Sequence, residues 1–126
     1  MKLEVGMYVR GKYYSYRGKI GKIIKNYNND LEIAYKNGVL KTTVGSFLED
    51  NIDINGRQYV ASFNIIDLIE VGDYVNGSPI CLIKTDEKDR TRIYTDSNYK
   101  CGYLESDIKS IVTKEQFEQM SYRIEE

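Results

Sequence analysis

A nine-residue phrase occurs twice in this chain, and it limits the fold more than any other feature. Residues 3–11 read LEVGMYVRG and residues 69–77 read IEVGDYVNG. The copies share Glu, Val, Gly, Tyr, Val and Gly in the same order, and Leu3 and Ile69 differ only in branching. In each, the Gly lets the chain bend and the Tyr-Val pair opens a strand with one face inward. A phrase repeated about halfway along a chain predicts one supersecondary unit built twice.

The segments between the copies read as short strands and turns. Residues 19–27 (KIGKIIKNY) offer Ile20, Ile23 and Ile24 to a core, and the slip from period two near Gly21 predicts a bulge. Asn28, Asn29 and Asp30 form a turn, and Leu31, Ile33 and Tyr35 then alternate with Glu32, Ala34 and Lys36 as in a half-buried strand. Asn37-Gly38 is a type I′ hairpin signal with 39–44 as its return strand. A connecting segment, 45–50, leads to a second hairpin, 52–63, turning at Asn55-Gly56. One tight helical turn over 64–67 precedes the second phrase.

The second half follows the same plan in less space. A strand at 73–75, an Asn76-Gly77 turn and a strand at 79–85 lead to a polar tip, 86–90 (DEKDR). Strands at 92–95 and 100–104 and a short turn at 106–108 precede a last strand at 110–112. Five short strands with a helical turn before the last is the pattern of a small SH3-like barrel. From 113 the chain turns helical: Thr113 and Gln116 have capping-box spacing, and Phe117 and Met120 share a side. This Phe/Met stripe docks on its own barrel or, as the alternative, on a second copy in a homodimer.

The expectation is therefore a mainly β protein of two tandem SH3-like barrels formed by internal duplication and packed together, with a short C-terminal α-helix. Its parts are residues 1–68 (first module with an inserted hairpin), 69–112 (second module) and 113–126 (helix and tail). A module of about 58 residues buries a thin core alone, so a shared interface is expected. No Gly/Ser/Pro-rich spacer lies between the modules, which argues against independent movement.

Charge and composition narrow the function. The net charge of −1 gives no global pull toward nucleic acid or an anionic membrane. Its distribution is uneven: residues 1–26 carry seven basic residues against Glu4 alone, and 104–126 carry six acids against three bases. No apolar run is long enough to span a bilayer, and no leader is evident, so a cytoplasmic protein with no membrane partner is expected. Cys81 and Cys101 read as reduced, half-buried residues, with a cross-strand disulfide as the minority reading. The absence of histidine removes most familiar catalytic and zinc sets. Carboxylates pair only near turns, so neither an enzyme nor a cofactor or metal is expected.

One constellation stands above this background. Arg10, Lys12, Tyr13, Tyr14, Tyr16, Arg17 and Lys19 set cations beside flat rings, a combination that suits phosphates and stacked bases. The plainer reading is a solvated loop whose tyrosines cover a barrel end.

Three blocks, MKLEVGMYVR at 1–10, NIIDLIEVGDYVNG at 64–77 and DIKSIVTKEQFEQM at 107–120, resemble a family of small proteins of unknown function from phages and prophages of low-GC Gram-positive bacteria. The resemblance covers a little under a third of the chain. It implies a constant scaffold displaying changeable loops, and it transfers no functional residues. A small phage accessory protein without catalytic residues is expected to act by binding, inside the infected bacterial host. The leading expectation is an inhibitor of a host antiviral defence that occludes a defence protein or sequesters a nucleotide-derived immune signal. The alternative is an SH3-like nucleic-acid-binding or adaptor module, for which the low net charge is unfavourable.

Overall fold

The structure, a computed structural model, describes residues 2–12, 16–36, 38–51 and 60–120, with side chains as far as Glu118. It is mainly β and divides into two compact units, Met1–Leu68 and Ile69–Glu126, each built on one antiparallel five-stranded sheet.

In the first unit the strands are β1 (Tyr8–Arg10), β2 (Ile20–Tyr27), β3 (Asp30–Tyr35), β4 (Gly38–Thr43) and β5 (Ala61–Ser62), in the spatial order β4-β3-β2-β1-β5. The alternation in β3 is realised directly: Leu31 and Ile33 are buried while Glu32 and Ala34 turn outward. Asn28 and Asn29 take φ of 48° and 68°, a left-handed pair that asparagine tolerates, and close the β2–β3 hairpin. The slip in β2 falls between Ile23 and Lys25 rather than at Gly21. The extra residue is Ile24, which the bulge turns out to 48% exposure, so only Ile23 of the three isoleucines is fully buried. Leu3, Val9, Ile23, Leu31, Ile33, Phe47 and Val60 form the core, each burial contributing about 1.5–3 kcal/mol.

The connecting segment is a helix, α1 (Val44–Asp50). Val44 and Gly45 are weak helix formers, which hides it in the sequence. Thr43 caps it by accepting the Ser46 N–H, and Phe47 anchors it in the core. Most of the second hairpin, including Asn55-Gly56, lies outside the described residues, as does Asn37. A 3-10 turn, Ile65–Leu68, ends the unit, with the Asn64 side chain accepting the Ile66 N–H.

In the second unit the strands are β6 (Tyr74–Val75), β7 (Ser78–Thr85), β8 (Thr91–Thr95), β9 (Asn98–Tyr103) and β10 (Ile111–Val112), in the order β10-β6-β7-β8-β9. Asn76 and Gly77, with φ of 51° and 83°, make the two-residue β6–β7 turn. A 3-10 turn, Glu105–Asp107, precedes β10, and α2 (Lys114–Met120) follows it. The Thr113–Gln116 capping box forms in both directions: Thr113 Oγ1 accepts the Gln116 N–H at 3.2 Å and Gln116 Oε1 accepts the Thr113 N–H at 3.1 Å. Phe117 stacks on Tyr74 with ring centroids 4.2 Å apart.

Both nine-residue phrases fold into the same bend. Gly6 and Gly72 each have φ of 98°. The Gly6 and Gly72 N–H groups donate to the Ile23 and Ile80 carbonyls, and the Ile23 and Ile80 N–H groups return to the Met7 and Asp73 carbonyls. Where the phrases differ, so do their ties. The Met7 sulfur accepts the Glu4 N–H, whereas the fully buried Asp73 carboxylate accepts the N–H groups of Glu70 and Lys114, both at 2.8 Å. Asp73 thereby fixes the start of α2, a role hidden in the sequence by its resemblance to an ordinary turn acid.

Cys81 and Cys101 are free and exposed rather than half-buried. They sit on β7 and β9, which flank β8, so they do not share a pair of neighbouring strands.

Candidate functional site

The candidate surface begins where β1 ends. Gly11 pairs with Arg17, its N–H donates to the Lys19 carbonyl at 2.9 Å, and its carbonyl accepts the Gly18 N–H at 2.7 Å. The approach requires glycine, because a Cβ at position 11 would overlap the Tyr16 carbonyl oxygen. The residues leaving this closure, 16–19, are therefore held against the end of the sheet. Tyr13 and Tyr14 lie outside the described residues.

Tyr16 packs on Tyr35 of β3, with ring centroids 4.7 Å apart and planes at 44°. Tyr35 lies across β2 because position 21 has no side chain: a Cβ there would stand 2.9 Å from the Tyr35 ring and 2.8 Å from Ile33 Cγ2. Its hydroxyl is buried without a hydrogen-bond partner among the described residues. Burial, and secondarily the neighbouring Tyr16, push the Tyr35 pKa up to about 12, so the phenol stays neutral.

Cations edge these rings. Lys19 Nζ lies 5.8 Å from the Tyr16 ring centroid, and Lys22 Nζ lies 5.5 Å from that of Tyr8, its directly opposed partner across β1 and β2. Both distances are within cation–π range. Lys22 also opposes Ala34, so Tyr8, Lys22 and Ala34 form one row on the outer face of the sheet, whereas Tyr35 packs against the core on the other face. Arg17, Lys22 and Lys36 are exposed and Lys19 is half-buried. Among the described residues, none of these four cations forms an ion pair with a carboxylate.

Of the residues expected at this surface, Tyr16, Arg17 and Lys19 come together. Arg10 does not join them: it is 2% exposed, and its Nη1 donates to the Leu68 carbonyl at 2.9 Å. Its position in the strand inverts the expectation, since β1 carries it into the interior, where a guanidinium must be hydrogen-bonded. Lys12 is exposed, and its backbone N–H donates to Asn51 Oδ1 at 2.8 Å. Tyr35 was not expected here, and it meets Tyr16 through the fold, while Tyr8 and Lys22 form a separate pair on the outer face of the sheet. The alternation of Lys22 against Ile23 was the available signal.

The arrangement holds positive charge at fixed places and offers no proton-transfer pair. Among the described residues, no group of three or more histidine, cysteine, aspartate or glutamate side chains is placed to hold a metal ion. No helix there is long and apolar enough to cross a membrane.

The second unit repeats the lysine–tyrosine contact, with Lys84 Nζ 5.5 Å from the Tyr94 ring centroid, and adds carboxylate partners for other cations. Asp86 Oδ2 accepts Arg90 Nε at 3.0 Å and Arg92 Nε at 2.9 Å, while Oδ1 accepts the Lys88 and Arg90 N–H groups. The Arg90 backbone bond above all, with the Arg92 and Lys88 bonds and the Arg90 charge, outweighs opposing desolvation and holds this carboxyl well below the usual carboxylate range. Lys114 lies 3.6 Å from Glu70. Fold and surface together define a small, mainly β protein whose first sheet carries two tyrosine–lysine pairs, Tyr16 with Lys19 and Tyr8 with Lys22. Comparison with known protein families, with curated proteins and with solved structures gives no match.

Proposed function

We propose that this chain is a non-catalytic binding protein, made of two SH3-like modules that arose by duplication, and that it serves a phage as an inhibitor of host antiviral defence by occluding a defence protein. The duplication draws support from the shared bend of the two phrases. It also draws on the strand order, which is the same in both sheets when each is counted from its phrase. The phage setting rests on the resemblance of the three sequence blocks.

The observation that carries the binding role is that Lys19 over Tyr16 and Lys22 over Tyr8, like Arg17 and Lys36, form no ion pair with a carboxylate among the described residues. Charged groups left uncompensated on a rigid sheet add little to stability and much to association. Occlusion is favoured over capture of a nucleotide signal because the rings are already engaged. Tyr16 packs on Tyr35 and carries Lys19, Tyr8 carries Lys22, and Arg10 is committed to the Leu68 carbonyl.

The test is recovery of the tagged full chain from a defended Gram-positive host, with mass spectrometry of both co-purifying proteins and small molecules. A host protein in near-stoichiometric amount, together with restored phage plating, is the expected result. A nucleotide recovered without a protein would replace occlusion by sequestration, and nucleic acid recovered in a salt-sensitive manner would favour the adaptor.

A further inference from the structure

We infer that the edge strand β4 of the first sheet takes up an extended segment of a partner protein as a further antiparallel strand, one that sets a carboxylate across from Lys41 and apolar side chains across from Leu40 and Val39. This contact is separate from the tyrosine–lysine pairs and does not depend on them.

Strand register decides which backbone groups of β4 are committed. The Val44 N–H donates to the Asn29 carbonyl at 2.9 Å, in line with the pairing of Thr43 opposite Asp30. In an antiparallel ladder, hydrogen-bonded pairs alternate with open ones. The bonded pairs of β3 and β4 are therefore Leu31 with Thr42, Ile33 with Leu40 and Tyr35 with Gly38, and the N–H and C=O groups of Val39 and Lys41 point away from the sheet. Among the described residues nothing else accepts from them or donates to them. Val39 is 48% exposed and a Cβ at Gly38 would meet nothing within 4 Å, so the edge is open.

The other sheet edges are blunted. Strands β5 and β10 are two residues long, and β9 loses register with β8 between Ile93 and Thr95, where Gly102 takes φ of 71°. Short strands and bulges are the ordinary means of closing an edge to further strands. Strand β4 has neither, since its six residues pair with β3 without a shift.

The side chains choose the occupant. Val39 and Lys41 share the outer face with Ala34 and Glu32, while Leu40 packs on the core from the other face and is only half-buried. An added strand would cover Leu40 and Val39 with neighbouring side chains, which favours apolar ones there. Lys41 stands opposite Glu32, but that carboxylate is 3.4 Å from Lys25, and Lys41 forms no ion pair among the described residues. A carboxylate at the facing position is its complement. A second copy fits badly: any register that pairs both Val39 and Lys41 within β4 sets Lys41 opposite or diagonal to its own counterpart, and like charges so placed repel. Read along the partner, the segment is acid, apolar, apolar.

The experiment adds the capped peptide KTEVVTK, or KTKVVTK as its control, to the 15N-labelled full chain and follows amide exchange. Without peptide, the amides of Val39 and Lys41 should exchange fast and those of Leu40 and Thr42 slowly. KTEVVTK is expected to slow the Val39 and Lys41 amides. Lys41→Pro removes an outward N–H and no ladder bond, so it should keep the fold and lose the peptide. Lys41→Glu should weaken KTEVVTK by about fivefold and bind KTKVVTK the more tightly of the two, a reversal that does not rely on the proline variant folding. Slow exchange at Val39 and Lys41 in the peptide-free chain would mean an edge already covered, and slowing that grows with protein concentration would assign it to a second copy. Either result, equal affinity for the two peptides, or no slowing at all would overturn the inference.

Discussion

The two units solve the same backbone problem and then part ways in their side chains. Each opens on a glycine at φ of 98°, returns the same pair of hydrogen bonds to an isoleucine, and continues into five antiparallel strands. The differences lie where a side chain is free to choose a partner. Met7 stands where Asp73 stands, and buried Arg10 where Asn76 reaches the 107–110 segment, accepting the Lys109 and Ser110 N–H groups and donating to the Asp107 carbonyl. In the second unit Arg90 and Arg92 meet Asp86 and Lys114 meets Glu70, whereas among the described residues Arg17, Lys19, Lys22 and Lys36 of the first form no ion pair with a carboxylate. Identical positions thus mark what the bend demands, and divergent ones mark what each unit does with it.

The comparison breaks most readily at Asp73. Asp73→Ala strands the Glu70 and Lys114 N–H groups in a buried place and is expected to destabilise the protein by about 3 kcal/mol in denaturant titration. Asp73→Met, which copies the first unit, keeps a weak acceptor for Glu70 but none for Lys114, and roughly half that loss is expected. Equal losses would mean that the tie to α2 carries no energy.

Tyr35 gives the next effect, confined to alkaline pH. Its folded pKa of about 12 lies above the ordinary phenol value of 10.0. The folded state therefore keeps a proton that the unfolded state loses, and stability present below pH 10 falls as pH rises toward 12, by roughly 2 kcal/mol. Tyr35→Phe should remove that part of the fall, read from unfolding free energies across the window. An unchanged slope would place the hydroxyl in water.

A smaller effect sharpens the match between the bends. Gly6→Ala and Gly72→Ala impose the same positive φ on a side chain, and their Cβ atoms would meet only ordinary contacts, Phe63 Cε1 at 3.6 Å and Lys114 Cδ at 3.4 Å. Each should cost about 1–2 kcal/mol, and clearly unequal values would show that the bends differ in rigidity. Asp86→Asn should have the least effect, seen as faster amide exchange in the β7–β8 hairpin. Because its folded pKa is depressed, the contribution of Asp86 exists above the ordinary carboxylate pKa and is lost as pH falls below it.

How far the chain could be read beforehand follows from the same contrast. The bends, the asparagine turns and the capping box of α2 were legible because each depends on a few adjacent residues whose backbone or side-chain chemistry is restrictive. Helix α1 was not, since tertiary burial of Phe47 overrides its poor local propensity. Arg10 was read as surface because charge usually means exposure, and its contact with Leu68, 58 residues away, leaves no local trace. The site was half legible: Tyr16, Arg17 and Lys19 adjoin in sequence, but Tyr35 reaches Tyr16, and Tyr8 reaches Lys22, only through the fold.

The division of roles between the units is tested most directly by capturing the host partner with two charge-reversed full chains side by side. Reversal of Arg17, Lys22 and Lys36 should abolish capture and phage protection while the unfolding midpoint stays put, and reversal of Lys84 and Lys100 should spare both. Capture that survives the first set and fails with the second would contradict the account.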